Sequence, residues 1–268
     1  MKTGFSTLWS ATTATESLLS AIADAGFDGM EPTFNPGAIP SPAGYREEAP
    51  ILKALCDSAG LAVPGMRGGR LFWGAIPSTS TLERAKAIEH CRRALDAVAM
   101  MGGDLLLVVP GEASAAVPYE DHWKRVVEFS DSAVRLAREF GVRIGLENTE
   151  ALFPASLTDW KQLLIEINDP WIGMYLDIGN ITWLEKGNPA EWIRELSQWL
   201  VRIHFKDSFA GKCIVNILEG DVDWNSVMGA LREIGYDGWV LVEPDWFKIM
   251  PERLPQQLAG HLKAILQL

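Results

Sequence analysis

The stretch His122-Trp-Lys-Arg-Val-Val-Glu-Phe-Ser-Asp-Ser-Ala-Val-Arg-Leu-Ala-Arg-Glu-Phe140-Gly141-Val-Arg-Ile-Gly-Leu-Glu147-Asn148 contains the pattern that decides the fold. Its first part, His122–Phe140, has apolar residues at helical spacing, which predicts an amphipathic helix. Gly141 follows where a left-handed cap commonly ends a helix. The second part, Arg143–Asn148, is a short apolar run ending in polar residues and predicts a buried strand.

This alternation of strand and helix repeats about eight times along the 268 residues. A second clear helical pattern covers Thr81–Met101, and further helix-ending glycines are Gly26, Gly60 and Gly235. Alternation without hairpin signals predicts a parallel sheet. The predicted strands are Thr3–Trp9, Gly29–Phe34, Ala62–Arg67, Asp104–Pro110, Arg143–Asn148, Ile172–Asp177, Val201–Lys206 and Gly238–Glu243.

A single α/β domain over residues 1–268, folded as a (β/α)8 TIM barrel, is the predicted architecture, because such barrels need about 250 residues. A doubly wound open sheet is the alternative, but neither dinucleotide-binding nor phosphate-binding glycine motifs follow the strands. The longest loops, Phe34–Tyr45 and Gly68–Ser80, both follow strands. We expect them over the carboxyl face of the barrel, where active sites of this fold lie.

Charge and cysteine content exclude several classes of function. A formal net charge of −11 argues against nucleic acid and against an anionic membrane surface, which need a basic face. Three cysteines without paired spacing, Cys56, Cys91 and Cys213, predict neither a disulfide framework nor a zinc motif. With no apolar signal or membrane segment in the sequence, we expect a soluble cytoplasmic protein.

Three carboxylates and one imidazole end four successive predicted strands: Glu147, Asp177, His204 and Glu243. Charges at the ends of buried strands are costly unless something pairs with them. Adjacent strands lie about 4.8 Å apart, so inward side chains from these ends can converge on one divalent cation. The alternative is an internal salt-bridge network with Lys206 or Arg202.

The motifs around these residues resemble those of the xylose isomerase-like TIM barrels, a family of sugar and sugar-phosphate isomerases and epimerases. The resemblance covers most of the chain and is carried by Gly145–Asn148, Leu176–Asn180, Ile203–Asp207, Val242-Glu243 and Glu219–Trp224.

The resemblance implies a divalent metal, commonly Mn²⁺, held by Glu147, Asp177, His204 and Glu243; Zn²⁺, Mg²⁺ or Co²⁺ are alternatives. It also implies that Glu147 and Glu243 act as acid and base on the two faces of a ketose, through a cis-enediolate. Such a metal polarises a carbonyl as a Lewis acid. His204 would bind as neutral imidazole, its other nitrogen held by an acceptor.

Asn180 departs from the histidine that many family members carry at this position. Together with Trp183, it resembles the pentulose-5-phosphate 3-epimerases, which points to a ketose phosphate. Only four histidines are present, which counts against the three-zinc abasic-site endonucleases of the same superfamily.

Other residues have open alternatives. Arg67 could contact a phosphate or sugar hydroxyl or be a solvated turn residue, and Lys206 could contact substrate or neutralise carboxylates. Glu31 could contact substrate or brace the barrel mouth. Asp223 is predicted as a helix cap. One or two of four tryptophans near strand ends are expected to contact substrate: Trp9, Trp73, Trp183 and Trp246.

The leading prediction is therefore a metal-dependent ketose or ketose-phosphate 3-epimerase that binds a small sugar. An aldose–ketose isomerase of the hydroxypyruvate isomerase kind and an inosose-type dehydratase use the same first step. A non-catalytic sugar-binding barrel is the alternative outside enzymes. Trp192 and Trp199 suggest a homo-oligomer surface or packing on the barrel.

Overall fold

Eight parallel strands form one sheet in a computed structural model that describes residues 1–7, 16–244 and 253–268. Two further short strands form an antiparallel hairpin. In chain order the strands are β1 (Lys2–Ser6), β2 (Gly29–Glu31), β3 (Gly65–Arg67), β4 (Leu105–Val108), β5 (Arg143–Glu147), β6 (Ile172–Asp177), β7 (Leu200–Phe205), β8 (Asp207–Phe209), β9 (Cys213–Val215) and β10 (Trp239–Val242).

The sheet closes into a barrel. Its strand order is β2-β1-β10-β7-β6-β5-β4-β3, and parallel bridges pair Gly29 with Ala62 and Thr33 with Arg67 across the remaining gap between β2 and β3. The predicted TIM barrel is thereby confirmed.

Helices cover the outside of the barrel. They are α1 (Glu16–Asp24), α2 (Tyr45–Ser58), α3 (Leu71–Ala75), α4 (Thr81–Met100), α5 (Tyr119–Phe140), α6 (Leu157–Ile167), α7 (Ile178–Trp183), α8 (Pro189–Glu195), α9 (Trp224–Glu233) and α10 (Leu254–Leu266), with a 3₁₀ turn at Ser197–Trp199. The four predicted cap glycines have φ values between 66° and 88°, as expected for left-handed caps. None of the described helices has the length and hydrophobicity to cross a membrane.

The period-two alternation of the strands separates two layers of side chains. On β4, Leu106 and Val108 pack in the large apolar layer beneath the helices, whereas Leu105 and Leu107 belong to a smaller cluster with Tyr175 and Leu241. The smaller cluster fills the barrel interior. The outward positions of the other strands belong to the large layer as well: Phe5, Met30, Met66, Ile144, Leu146, Met174, Leu176, Ile203, Phe205, Val240 and Val242.

The hairpin contradicts the expectation of strand–helix alternation without hairpins. Asp207–Phe209 pairs with Cys213–Val215 across the turn Ala210-Gly211-Lys212. Its strands are only three residues long, too short for a period-two pattern to be visible. Trp9 and Trp246, predicted near the barrel mouth, lie outside the described residues.

Candidate metal centre

Glu147, Asp177, His204 and Glu243 converge at the carboxyl end of the barrel. One ligand atom from each lies within 4.8 Å of the others, and all four residues are buried. Strand register produces this arrangement, since Asp177 on β6 lies directly opposite His204 on β7. Glu243 follows β10 and continues its pairing through a hydrogen bond from its N–H to the Phe205 carbonyl (3.0 Å).

The imidazole of His204 lies between the carboxylates. Its Nδ1 is 2.9 Å from Glu147 Oε1 and 3.2 Å from Glu243 Oε2, while its Nε2 is 2.9 Å from Glu31 Oε2. Nδ1 therefore faces the other three candidate ligands and Nε2 faces the acceptor that a metal-binding histidine usually has behind it.

Glu31 is held on every side within the barrel. The Ser6 hydroxyl donates to Oε2 (2.7 Å), and the Tyr175 hydroxyl donates to Oε1 (2.8 Å). With His204 Nε2 also on Oε2, these contacts favour the bracing alternative for Glu31. Neither Ser6 nor Tyr175 was predicted as a site residue, although both share the inward parity of the strand-end acids.

Two cations lie among the carboxylates. Arg67 Nη2 is 2.9 Å from Glu243 Oε1, and the side chain is 1% exposed. Lys206 Nζ is 3.3 Å from Asp177 Oδ2, Glu243 Oε2 and Asn180 Oδ1. The solvated-turn alternative for Arg67 is wrong, because its inward position on β3 directs the guanidinium to Glu243. Both cations neutralise carboxylates.

Asn148 and Asn180 fix the spacing of β5 and β6. Asn148 accepts from the Asp177 N–H (2.8 Å) and donates to the Asp177 carbonyl (2.9 Å). Asn180 Nδ2 donates to the Asn148 carbonyl (2.9 Å), and the Asn180 N–H donates to Asp177 Oδ1 (2.8 Å). Asp177 is thus both a candidate ligand and the N-cap of α7. Asn148 belongs to one of the family motifs, but the sequence alone assigned it no role.

Trp183 ends α7 and is half-buried. Its carbonyl accepts from the Gly211 N–H in the hairpin (2.9 Å), so it connects α7 to this part of the rim. Asp207 holds the following loop: its carboxylate accepts from the N–H groups of Ser208, Leu218 and Val222 and from the Trp224 indole.

The two glutamates have opposite electrostatic environments. Burial, reinforced by repulsion from Glu243, raises the pKa of Glu147 despite His204 and Arg67. Burial alone would also raise the pKa of Glu243, but attraction to Arg67, Lys206 and His204 outweighs it and holds that pKa well below the usual value.

The other two candidate ligands are shifted upward. Burial, with repulsion from Glu243 and Glu147, raises the pKa of Asp177 to about 7 even though Lys206 opposes the shift. Burial would lower the pKa of His204, but the surrounding carboxylates, Glu31 first among them, raise it well above the ordinary value. Glu147, Asp177 and His204 therefore hold protons more readily than usual, and a divalent ion bound here would displace those protons.

The donor set fits a divalent cation. Glu147 Oε2 is buried without a hydrogen-bond partner in the described protein, a costly state that a bound ion would relieve. Three carboxylates and one imidazole are hard and borderline donors suited to Mn²⁺, Mg²⁺ or Co²⁺. Together with Glu31, the carboxylates exceed the permanent cations Arg67 and Lys206 by two charges when His204 is neutral.

Several known proteins that are similar to this chain in sequence or in fold are named as sugar epimerases. A putative L-ribulose-5-phosphate 3-epimerase, SgbU of Haemophilus influenzae, is 26% identical over 167 residues, which are 60% of this chain and 58% of that protein. The 3-keto-D-glucoside 4-epimerase YcjR of E. coli superposes with a TM-score of 0.80 at 19% identity over 100% of both chains. D-psicose 3-epimerase of Clostridium cellulolyticum H10, solved with D-tagatose, gives 0.80 at 17% identity over 99% of both chains.

These two structures are similar in fold. The family model described as "Xylose isomerase-like TIM barrel" matches residues 19–265, which include the four candidate ligands. The chain therefore belongs to the xylose isomerase-like TIM barrel family.

Proposed function

We propose that this protein is a divalent-metal-dependent 3-epimerase of a ketose or ketose phosphate. The observation that carries the proposal is the placement of Glu147 and Glu243 at the two ends of a four-strand arc, β5-β6-β7-β10, with both carboxylates directed at His204 Nδ1. Two carboxylates that flank one substrate can serve its two faces, as inversion at a carbon requires.

A divalent ion on Glu147, Asp177, His204 and Glu243 would supply Lewis acidity to the ketose oxygens. We propose Mn²⁺, with Mg²⁺, Co²⁺ and Zn²⁺ as the alternatives to test. The family resemblance and the oxygen-rich donor set support this choice.

In the proposed reaction one glutamate removes the proton from C3, and the electron pair of the C–H bond enters an enediolate of the sugar. The other glutamate returns a proton to the opposite face of C3, which inverts the carbon with no net oxidation. Burial raises the pKa of Glu147 towards the neutral range in which a general acid or base works best. Glu243 is ionised beside Arg67 and Lys206 and can therefore accept a proton, but its lowered pKa makes it the weaker base of the two glutamates.

The substrate class is a ketose, and its phosphorylation is the finer proposal. SgbU is named as acting on a pentulose 5-phosphate, whereas the psicose epimerase structure contains a free ketose. Asn180 and Trp183 resemble the phosphate-using branch. We also propose that Lys206, Asn180 and Trp183 contact the substrate directly. Arg67 and Glu31 are proposed to contact it as well, in addition to the contacts that they make within the protein.

Proton exchange in D₂O tests the proposal because it detects cleavage of a C–H bond whichever product forms. Manganese-loaded protein is incubated with a panel of ketoses and ketose 5- and 6-phosphates, and NMR locates the deuterium. Label at C3 supports the epimerase, and a preference for phosphorylated sugars supports the finer proposal. Label at C1 instead identifies an aldose–ketose isomerase of the hydroxypyruvate isomerase kind.

Two further outcomes contradict epimerisation. Loss of water from a cyclic polyol ketone such as an inosose, added to the panel, would identify a dehydratase. Metal binding without exchange on any sugar would favour a non-catalytic sugar-binding barrel, because fold and ligands alone do not fix activity.

We also propose that the whole chain works as a single domain, in the cytoplasm, and that it can form a homo-oligomer. All three cysteines are free, which supports a reducing compartment. Trp192 is buried against the protein itself, its indole donating to the Lys186 carbonyl (3.1 Å). This leaves Trp199, which is half-buried, as the remaining tryptophan proposed for a subunit surface.

A further inference from the structure

Tyr175 is a large polar side chain of the barrel interior that the proposed reaction does not use. It is fully buried, and its hydroxyl donates to Glu31 Oε1 (2.8 Å). Its ring lies 4.5 Å from that of His204, centroid to centroid, at an interplanar angle of 53°. A phenol buried this deeply requires a partner for its hydroxyl, and here the partner is a carboxylate that itself contacts a candidate ligand.

The contacts form one chain, from Tyr175 through Glu31 to His204. The other carboxylate oxygen of Glu31, Oε2, contacts both Ser6 Oγ (2.7 Å) and His204 Nε2 (2.9 Å). Donors on both oxygens prevent the carboxylate from rotating, so its position fixes the ring plane of His204. A carboxylate on Nε2 also places the proton there and increases the electron density on Nδ1.

The sequence makes room for this arrangement. Gly145 on β5 lies beside Tyr175, and a Cβ at Gly145 would come within 3.0 Å of Tyr175 Cβ and 3.1 Å of Cδ2. The strand that carries Glu147 therefore lacks a side chain at the point where the Tyr175 ring packs. The phenol can only donate to an ionised carboxylate, so in the Tyr175–Glu31 contact (2.8 Å) the hydroxyl is the donor and the carboxylate the acceptor.

We propose that Tyr175, Glu31 and Ser6 are positioning residues that orient His204 and set the affinity of its Nδ1 for the metal. The inference rests on the metal centre of the proposed function but not on the sugar chemistry. Residues behind a metal-binding histidine typically change metal affinity about 10- to 100-fold when replaced. We expect Glu31→Gln to approach the upper part of that range and Tyr175→Phe to give about tenfold.

Metal titration of the full-length protein tests the proposal without any sugar. Affinity for Mn²⁺ is measured by the EPR signal of the free ion, and the visible spectrum of the Co²⁺-loaded protein reports coordination geometry. Tyr175→Phe keeps the ring against His204 and removes only the hydroxyl. The matched control is Tyr45→Phe, which removes a hydroxyl bonded to Asp96 Oδ2 at 2.9 Å, outside the centre.

The expected result is weaker Mn²⁺ binding and an altered Co²⁺ spectrum in Tyr175→Phe, with neither change in Tyr45→Phe. A merely structural hydroxyl would lower thermal stability in both variants without changing metal affinity, and equal affinities would overturn the proposal. Combining Tyr175→Phe with Glu31→Gln should weaken binding no more than Glu31→Gln alone, because the hydroxyl acts through the carboxylate. Additive losses would also overturn it.

Ser6→Ala provides a second route if Tyr175→Phe does not fold, since it removes a different donor from Glu31 and should weaken Mn²⁺ binding in the same direction. Wild-type protein that binds no metal would overturn both the centre and this inference. If the variants change Mn²⁺ affinity as expected but no sugar exchanges deuterium, only the proposed epimerase activity is overturned.

Discussion

Two buried arginines at opposite ends of the barrel have different surroundings. At the amino end, Arg202 donates to the Pro64 carbonyl (2.8 Å) and pairs with Asp104 (2.8 Å), whose side chain is 73% exposed. At the carboxyl end, Arg67 pairs with Glu243, which is 4% exposed. Arg202 thus reaches water through its partner, whereas Arg67 joins a buried ionic cluster.

This difference distinguishes a charge that serves the fold, at the amino end, from a group of charges that indicates a functional site, at the carboxyl end. At the amino end, Arg202 has a backbone acceptor and a solvated carboxylate, and these contacts satisfy the single buried cation. The carboxyl end instead buries a surplus of carboxylates, which costs free energy that apolar packing would not. Such a concentration of perturbed groups is typical of a functional site.

The largest expected effect comes from Glu147→Gln, which keeps the size of the side chain and removes its charge. Loss of a general acid or base lowers the rate by about 10²–10⁴-fold. Without metal the variant should be at least as stable, because a buried charge disfavoured first by burial and then by repulsion from Glu243 is removed. The measurements are kcat and the thermal unfolding midpoint. The control is Glu166→Gln at an exposed glutamate bonded to Trp123, and full activity in Glu147→Gln would contradict the assigned role.

Metal removal should change stability as well as activity. A ligand that binds only the folded state at 100 times its Kd stabilises that state by about 2.7 kcal/mol. Calorimetry with and without EDTA should therefore show a lower unfolding midpoint in the chelated protein, restored by Mn²⁺. If the unfolding midpoint of Glu147→Gln is the same with and without Mn²⁺, the stabilisation of the wild-type protein by metal arises at the candidate centre.

At the amino end the expected pattern is reversed. Arg202→Met keeps most of the side-chain volume but removes one of two donors to the buried Pro64 carbonyl, which keeps the Asp104 N–H at 3.3 Å. The loss of this charge-assisted hydrogen bond costs about 1.5–3 kcal/mol. Urea unfolding should show this loss, while kcat and metal affinity of the folded protein stay unchanged. A large loss of kcat would mean that the amino end of the barrel affects the metal centre, and would contradict a purely structural role for Arg202.

The sequence was sufficient to predict the barrel and the convergence of the four strand ends. Both follow from short-range signals: short apolar runs, helix-ending glycines, and an acidic or imidazole side chain at the end of four successive strands. The structure places Glu147, Asp177, His204 and Glu243 together because parallel strands end at the same edge.

The interior contacts were harder to predict. Tyr175 and Glu31 are 144 residues apart and meet across the barrel, so their pairing depends on sheet closure, which no local pattern specifies. The hairpin that begins at Asp207–Phe209 was not predicted for a different reason. It is stabilised by hydrogen bonds from the following loop to the Asp207 carboxylate rather than by strand propensity.

The smallest expected effect concerns Asp223, an exposed carboxylate that lies outside the ionic cluster. It caps α9 by accepting from the Ser226 N–H (3.1 Å), and hydrogen bonds from Ser226 lower its pKa. Because the folded pKa is depressed, its contribution is present above the unfolded value of about 3.9 and is lost as pH falls through the folded pKa. Asp223→Ala should cost about 1 kcal/mol at pH 7, and the difference from wild type in urea unfolding should shrink below about pH 3.9. A loss that persists in acid, or a change in metal affinity, would show that this carboxylate does more than end a helix.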